Sequence, residues 1–298
     1  MAGGQEQILR RRIRTVRSTQ KITRAMELIA ASQIVRAQGR IAGAAPYLNG
    51  IAAVLAEAAA DAGSTAGRVL GVPEAPERVL VLAIVADRGL CGAYNANVLR
   101  PTERLVLPAG NAGIEYRLVT VGRKAQSFFR FRRIPVETSF SGFTDRPTFE
   151  DARAIAGAVT PSFLDESVDQ VLVVSTRFLS AGTQVVETRQ LLPLPEPEGA
   201  DERPSTSGYT EFEPESPALL VELVPRYVEA AVFGALLEAS ASEHTARQRA
   251  MAAATDNADD LVKNLTRVMN RARQDAITTE IMEIVGGAEA LRQSADSD

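Results

Sequence analysis

The spacing of apolar residues changes along this chain from helical to strand-like and back. Over residues 5–45 it is helical: Leu9, Ile13 and Val16 share one face by 4,3 spacing. Ile22, Met26 and Ile29 repeat that spacing but begin six residues after Val16. The stripe is therefore expected to rotate around the helix. The first proline is Pro46, so residues 5–45 read as one helix that resumes through IAAVLAEAAADA. The middle follows another rule. RVLVLAIVADRG (78–89), EYRLVTVGRKA (115–125) and VDQVLVVSTRF (168–178) are short apolar runs ending in turns, the pattern of buried parallel strands. Helical segments separate them: NANVLRPTERLV, AQSFFRFRR and TFEDARAIAGAV. QVVETRQLLPL (184–194) is expected to pair with its predecessor as a hairpin. Residues 196–217 are rich in proline and acids and read as a loop. From Ala218 to about Leu291 the helical pattern returns, with Pro225 as its only proline.

Strands alternating with helices give an α/β layer with a largely parallel sheet. It is inserted between two long terminal helices, for which an antiparallel pair is the economical arrangement. The expected parts are an N-terminal helix over 1–60, an α/β domain over 75–195, the loop 196–217 and a C-terminal helix over 218–293. Leu261, Leu265 and Val268 form a further 4,3 set, while Ile277, Ile281 and Ile284 lie on a different face. A two-stranded coiled coil keeps one seam over many heptads. The expectation is a broken seam, with apolar patches turned toward something other than the partner helix.

Composition narrows the chemistry. Aromatics are 5% of 298 residues and Trp is absent, which suits long helices packed through small side chains. With one cysteine, Cys91, and one histidine, His244, Cys/His zinc sites and Ser-His-Asp triads are nearly ruled out. The chain shows neither a secretory h-region nor a run of about 18 apolar residues, so a cytoplasmic protein without a membrane span is expected. The formal charge of −4 conceals segregation. Residues 1–40 carry nine Lys/Arg, among them Arg10, Arg11, Arg12, Arg14, Lys21 and Arg24, against Glu6 and Glu27; residues 196–215 carry seven acids against Arg203. The basic face reads as a contact for acidic loops or phosphates, or as a solvated face.

DRGLCGAYN (87–95) is glycine-containing but fits neither G-x-G-x-x-G nor G-x-x-x-x-G-K-[ST], and it reads as a turn with Cys91 as a packing residue. Glu280 and Glu283 stand three apart on the C-terminal helix; without a pocket they read as a solvated or hydrogen-bonding pair rather than an acid–base pair. SGYTEFEPESP (207–217) reads as disorder or as a docking foot.

Three separated segments carry a resemblance. KITRAMELIAASQIVRAQ (21–38), DRGLCGAYNANV (87–98) and MAAATDNADDLVKNLTRVMNRARQDAITTEIMEIVGGAEAL (251–291) resemble the signatures of the γ subunit of F-type ATP synthases, in the same order and spacing. The resemblance implies a long antiparallel coiled coil of N- and C-terminal helices with an inserted Rossmann-like α/β domain. It implies a rotor shaft without an active site or cofactor of its own. The implied partners are the α and β subunits of the catalytic hexamer, the ε subunit and the c-ring, at the cytoplasmic face of the cell membrane. The shaft would turn with the c-ring and drive the catalytic β subunits through their nucleotide states. By the same resemblance, Arg273, Gln274, Thr278, Glu280 and Glu283 are candidate contacts near the C-terminal tip, with Arg24 and Met26 opposite. Arg10, Arg11, Arg12, Arg14 and Lys21 would meet acidic loops of β, and Phe212 and Glu213 fall at the foot near the c-ring. ARQRAM (246–251) places Gln248 where the family often has Met, and Gly208 and Thr210 stand where bulkier residues are common.

Two other classes compete. A nucleotide-dependent enzyme needs a phosphate loop and a partnered acid, which the sequence lacks. A coiled-coil scaffold or nucleic-acid binder needs unbroken heptads and predicts binding with a steep salt slope.

Overall fold

A computed structural model describes residues 2–62, 76–107, 113–194 and 216–295. Phe212 and Glu213, with nearly all of the 196–217 loop, lie outside the described residues. Helix α1 runs from Ala2 to Ala62 and α5 from Ser216 to Ala295. Between them come β1 (Arg78–Ile84), α2 (Tyr94–Val106), β2 (Glu115–Val121), α3 (Arg123–Arg132), β3 (Thr138–Phe140), α4 (Phe149–Leu164), β4 (Gln170–Phe178) and β5 (Gln184–Leu192). Contacts divide the chain into two compact units, Met1–Ile29 with Arg249–Asp298, and Ala30–Gln248.

The α/β unit is built on one five-stranded sheet in the order β3-β2-β1-β4-β5. The first four strands are parallel, and β5 returns antiparallel against β4, from Phe178 opposite Gln184 to Val171 opposite Leu192. The central strand β1 is buried over Val79–Ile84, as a strand covered on both faces must be. One face packs under α2 and α3 through Val98, Leu99, Ala125 and Phe129. The other packs under α4, α1 and α5, where Ile155, Val159, Leu55, Ala58, Leu220 and Val224 join Leu80, Leu82 and Ile84. Gly122 links β2 to α3 at φ +98°, where a Cβ would stand 2.3 Å from the Val85 carbonyl oxygen, so glycine is required there.

Two sequence expectations change. The strand Thr138–Phe140 was not expected; it is a three-residue edge strand next to Pro135, too short to leave a period. Helix α1 passes through Pro46 without ending; Pro46 and Ala42 are both exposed, so the carbonyl that proline leaves without a donor lies on the solvent side of the helix. Among the described residues, α1 is long and apolar enough by length and composition to cross a membrane, with a stretch of 18 residues within Gln5–Ala58 of mean hydropathy 1.3. It passes on its average and is not an unbroken run of apolar residues. Its alanine content raises the hydropathy, while Leu55 and Ala58 of the same helix are buried in the core of the α/β unit.

Candidate partner-binding surfaces and their anchorage

In the first unit, α1 and α5 pair antiparallel. Gln20 donates to Asp259 at 3.4 Å, and the Thr23 and Thr255 hydroxyls are 2.8 Å apart, so the α5 numbers fall as the α1 numbers rise. The buried and half-buried positions of α1 include Leu9, Ile13, Val16, Gln20, Thr23 and Glu27, continuing at Ala30. On α5 they include Met251, Thr255, Ala258, Val262, Leu265, Met269, Ala272 and Ala276. Both series alternate steps of four and three without interruption, the period of a coiled-coil seam. The expected break is therefore absent. Gln20, Thr23 and Glu27 carry the seam where Ile22, Met26 and Ile29 were expected to shift it. Ile22 and Ile29 are 59% and 61% exposed. On α5, Leu261 and Val268 face outward at 40% and 48%, one position beside the seam residues Val262 and Met269. The outward apolar patches are present, but they lie beside a continuous seam.

The same register gives the extent of pairing among the described residues. With Gln20 opposite Asp259, the first helical residue of α1, Ala2, comes level with Ile277. From Ile277 to Ala288 every residue of α5 is exposed, including Ile281, Met282, Ile284 and Val285 at 54%, 69%, 71% and 59%. Helical spacing aligns Arg273, Ile277, Glu280 and Ile284 along one face, and Gln274, Thr278, Ile281 and Val285 along its neighbour. Polar and apolar groups thus share both lines of the single-helix end. The Thr278 hydroxyl is taken up by the Gln274 carbonyl at 3.0 Å. Glu283 is exposed on a third line. On α1, Arg11, Arg12, Arg14 and Lys21 are exposed, as are Arg10, paired with Glu6 at 2.8 Å, and Arg24, paired with Glu27 at 2.9 Å. Met26 is half-buried.

Within the α/β unit, α5 is tied to the loops at the carboxyl ends of the strands by a cluster that the sequence did not reveal. The carboxyl ends of β1 and β4 flank the point where the chain's connections diverge, the usual ligand crevice of an open α/β sheet. Here the loops leaving β1 and β3 are stapled to each other and to α5. The Asp87 carboxylate accepts N–H bonds from Gly142 (2.7 Å), Arg123 (3.0 Å) and Thr144 (3.2 Å). The Tyr94 hydroxyl donates to the Ala239 carbonyl at 3.1 Å. The Asp145 carbonyl accepts from Ser240 Oγ at 2.9 Å and lies 3.0 Å from His244 Nε2. A carbonyl only accepts, so Nε2 carries the proton. Burial pushes the His244 pKa down, against a raising contribution from that hydrogen bond. Arg247 meets Glu243 at 2.5 Å and the Gly89 carbonyl at 3.4 Å. Glu243 is 1% exposed; burial raises its pKa, and Arg247 offsets part of that rise. Among the described residues its Oε2 has no hydrogen-bond partner. Cys91 is a packing residue in this cluster, buried beside Asn95, which donates to its sulfur at 3.2 Å. The one available sequence signal was Glu243 and Arg247 at i,i+4 after the small-residue run Ala239–Ser242.

Comparison with known proteins places these features. The ATP synthase family model matches residues 5–291. An ATP synthase gamma chain of Parafrankia sp. is 46% identical over 98% of this chain and 99% of its own, and one of Frankia casuarinae is 47% identical over 97% and 98%. The chain belongs to the ATP synthase gamma-chain family. The structure of the Tetrahymena thermophila mitochondrial ATP synthase central stalk and c-ring contains a chain similar to this one at 26% identity and TM-score 0.60, over 78% of this chain and 99% of that one. A chain of the Euglena gracilis mitochondrial OSCP/F1/c-ring structure shares the fold at TM-score 0.69 and 18% identity, over 97% and 95%. A gamma chain is a stalk subunit of the synthase complex without a catalytic site of its own; ATP synthesis and ion transport belong to the whole complex.

Proposed function

We propose that this gamma chain is the rotor shaft that couples c-ring rotation to the nucleotide cycle of the catalytic β subunits, at the cytoplasmic face of the cell membrane. The observation that carries this reading is the end of α5: over residues 277–288 every position is exposed, and isoleucines stand beside polar residues. Isoleucines on a lone helix end need a sleeve to cover them. A mostly apolar contact has shallow angular minima, so a shaft turns in it. Arg273, Gln274, Thr278, Glu280 and Glu283 supply the few directional contacts that define dwell positions, with Arg24 and Met26 on α1. The exposed cations Arg10, Arg11, Arg12, Arg14 and Lys21 meet acidic loops of β; each such rim contact is worth about 0.2–1 kcal/mol and is screened by salt. Phe212 and Glu213 are assigned to the foot on the c-ring, beside ε.

The test is reconstitution of the α and β subunits with and without this chain. ATPase activity is expected to depend on its presence, and ATP-driven ion pumping to require it. Wild-type activity and pumping in its absence would refute the assignment. Stoichiometric micromolar binding of nucleotide by the isolated chain would point instead to an enzyme built on the α/β unit.

A further inference from the structure

The α/β unit carries a second basic surface, on the face of its sheet opposite α4, to which the proposed shaft function assigns no role. Helices α2 and α3 cover the face of the sheet opposite α4, with Val98, Leu99, Ala125 and Phe129 turned inward. Their outward positions are cationic. Arg100 and Arg104 on α2, and Arg123, Lys124, Arg130 and Arg132 on α3, are exposed, and Arg133 follows at the helix end. No exposed position of either helix is Asp or Glu. Glu103, half-buried, meets Arg132 at 2.8 Å, and Asp87 lies 3.9 Å from Arg123. In a chain of net charge −4, such a concentration on two short helices is a segregated field. In its midst stands Phe131, 82% exposed between Arg130 and Arg132. Solvent alone gives no reason to hold a phenyl ring out among guanidinium groups.

We propose that the outer face of α2 and α3 docks on an anionic phospholipid surface. Arginines flanking an exposed aromatic match a bilayer interface, where cations meet headgroup phosphates and the ring enters the acyl boundary. Charge complementarity alone would also admit an acidic protein. Rotation favours lipid: a fluid bilayer is the same in every direction around a turning body, whereas a stationary acidic protein creates an angular minimum on each turn. That preference rests on the rotor reading; vesicle binding by the chain does not, so the two fail separately.

The experiment is co-sedimentation of the full chain with vesicles of phosphatidylcholine alone, or of equal parts phosphatidylcholine and phosphatidylglycerol. Binding is expected on the anionic vesicles only, weakening with salt. Each Lys/Arg near such a surface contributes about fivefold in affinity. The pair Arg130→Glu/Arg133→Glu should therefore weaken binding about tenfold or more, and Arg104→Glu/Lys124→Glu similarly. Phe131→Ser should weaken it about threefold without changing the salt slope. Arg11→Glu/Arg12→Glu on α1 serves as the control and should retain most of the binding. All these side chains are exposed, so circular dichroism and melting should match the parent chain. Undiminished binding in both charge-reversed pairs, loss confined to the α1 pair, or equal binding to neutral vesicles overturns the proposal. Capture of soluble polyglutamate without vesicle binding, abolished by Arg130→Glu/Arg133→Glu, would make the partner an acidic protein and overturn it as well.

Discussion

Glu243 and Arg247 form a buried ion pair, and such a pair is fragile in a particular way. Removing one member leaves the other charge without its counterion, at a cost of about 3–5 kcal/mol, whereas replacing both by apolar groups of similar volume is often nearly neutral. Arg247→Ala should therefore destabilise the α/β unit by several kcal/mol in a denaturant titration, and Glu243→Leu/Arg247→Met by markedly less. Equal losses would show that Arg247 acts through its packing rather than its charge. His244 gives a pH signature at the same place. Its folded pKa is lowered by burial, with Arg247 and Arg40 opposing its protonation and Asp145 favouring it. The unfolded chain thus binds a proton near pH 6.5 that the folded chain refuses until lower pH. Stability from the neutral ring is full above pH 6.5 and declines as pH falls toward the folded pKa. Paired urea titrations of the parent and His244→Gln at pH 7.5 and 5.5 should show the parent losing more stability on acidification. Glu243 has a raised folded pKa and shifts in the opposite sense. It is present in both proteins, so the difference between them isolates the histidine. An identical loss in both would remove His244 from the account.

At the scale of elements, the α1–α5 pair has a continuous seam that includes polar side chains. Thr23 and Thr255 satisfy each other at 2.8 Å, and each is half-buried. Exchanging both for leucine replaces a hydrogen bond by apolar burial at facing seam positions. The double variant should raise the stability of the pair by about 1–2 kcal/mol. Either single change should give less, because it removes the bond between the helices and leaves the other hydroxyl only its own-helix acceptor, the Gln20 carbonyl for Thr23 at 3.0 Å or the Met251 carbonyl for Thr255 at 2.8 Å. A double variant less stable than both singles would mean the seam is too tightly packed there for leucine. These threonines also explain what the sequence concealed. The terminal helices, their antiparallel pairing, four of the five strands and the β4–β5 hairpin were all legible, because each has several residues of one period. The seam was misread because polar Gln20, Thr23 and Glu27 occupy it while Ile22 and Ile29 face outward, so hydrophobicity pointed away from the interface. β3 was missed because three residues carry no period. The junction of Tyr94, Asp145, His244 and Arg247 was invisible because its members come from distant segments and meet only through tertiary packing.

On the scale of the whole molecule, a gamma chain must hold its own shape and yet leave part of itself for others to hold. The seam serves the first need, and on the rotor reading proposed above the end of α5 serves the second. Deletion of residues 275–298 separates them. It removes Thr278, Ile281, Ile284 and Val285 but leaves the seam from Met251 to Ala272, the Gln20–Asp259 contact and the whole α/β unit. The truncated chain should fold and assemble with the catalytic subunits, since no described residue of the deleted stretch beyond Ala276 is buried. It should nevertheless transmit less torque, because the sleeve would close on an end that lacks its isoleucines and its Thr278, Glu280 and Glu283 contacts. The measurement is ATP-driven ion pumping per ATP hydrolysed, beside single-molecule rotation. Pumping should fall further than hydrolysis. If synthesis and hydrolysis both ran at parental rates with intact coupling, the exposed end would not be the bearing. Coupling would then be sought in the outward residues beside the paired seam, where Ile22, Ile29, Leu261 and Val268 are the remaining apolar surfaces.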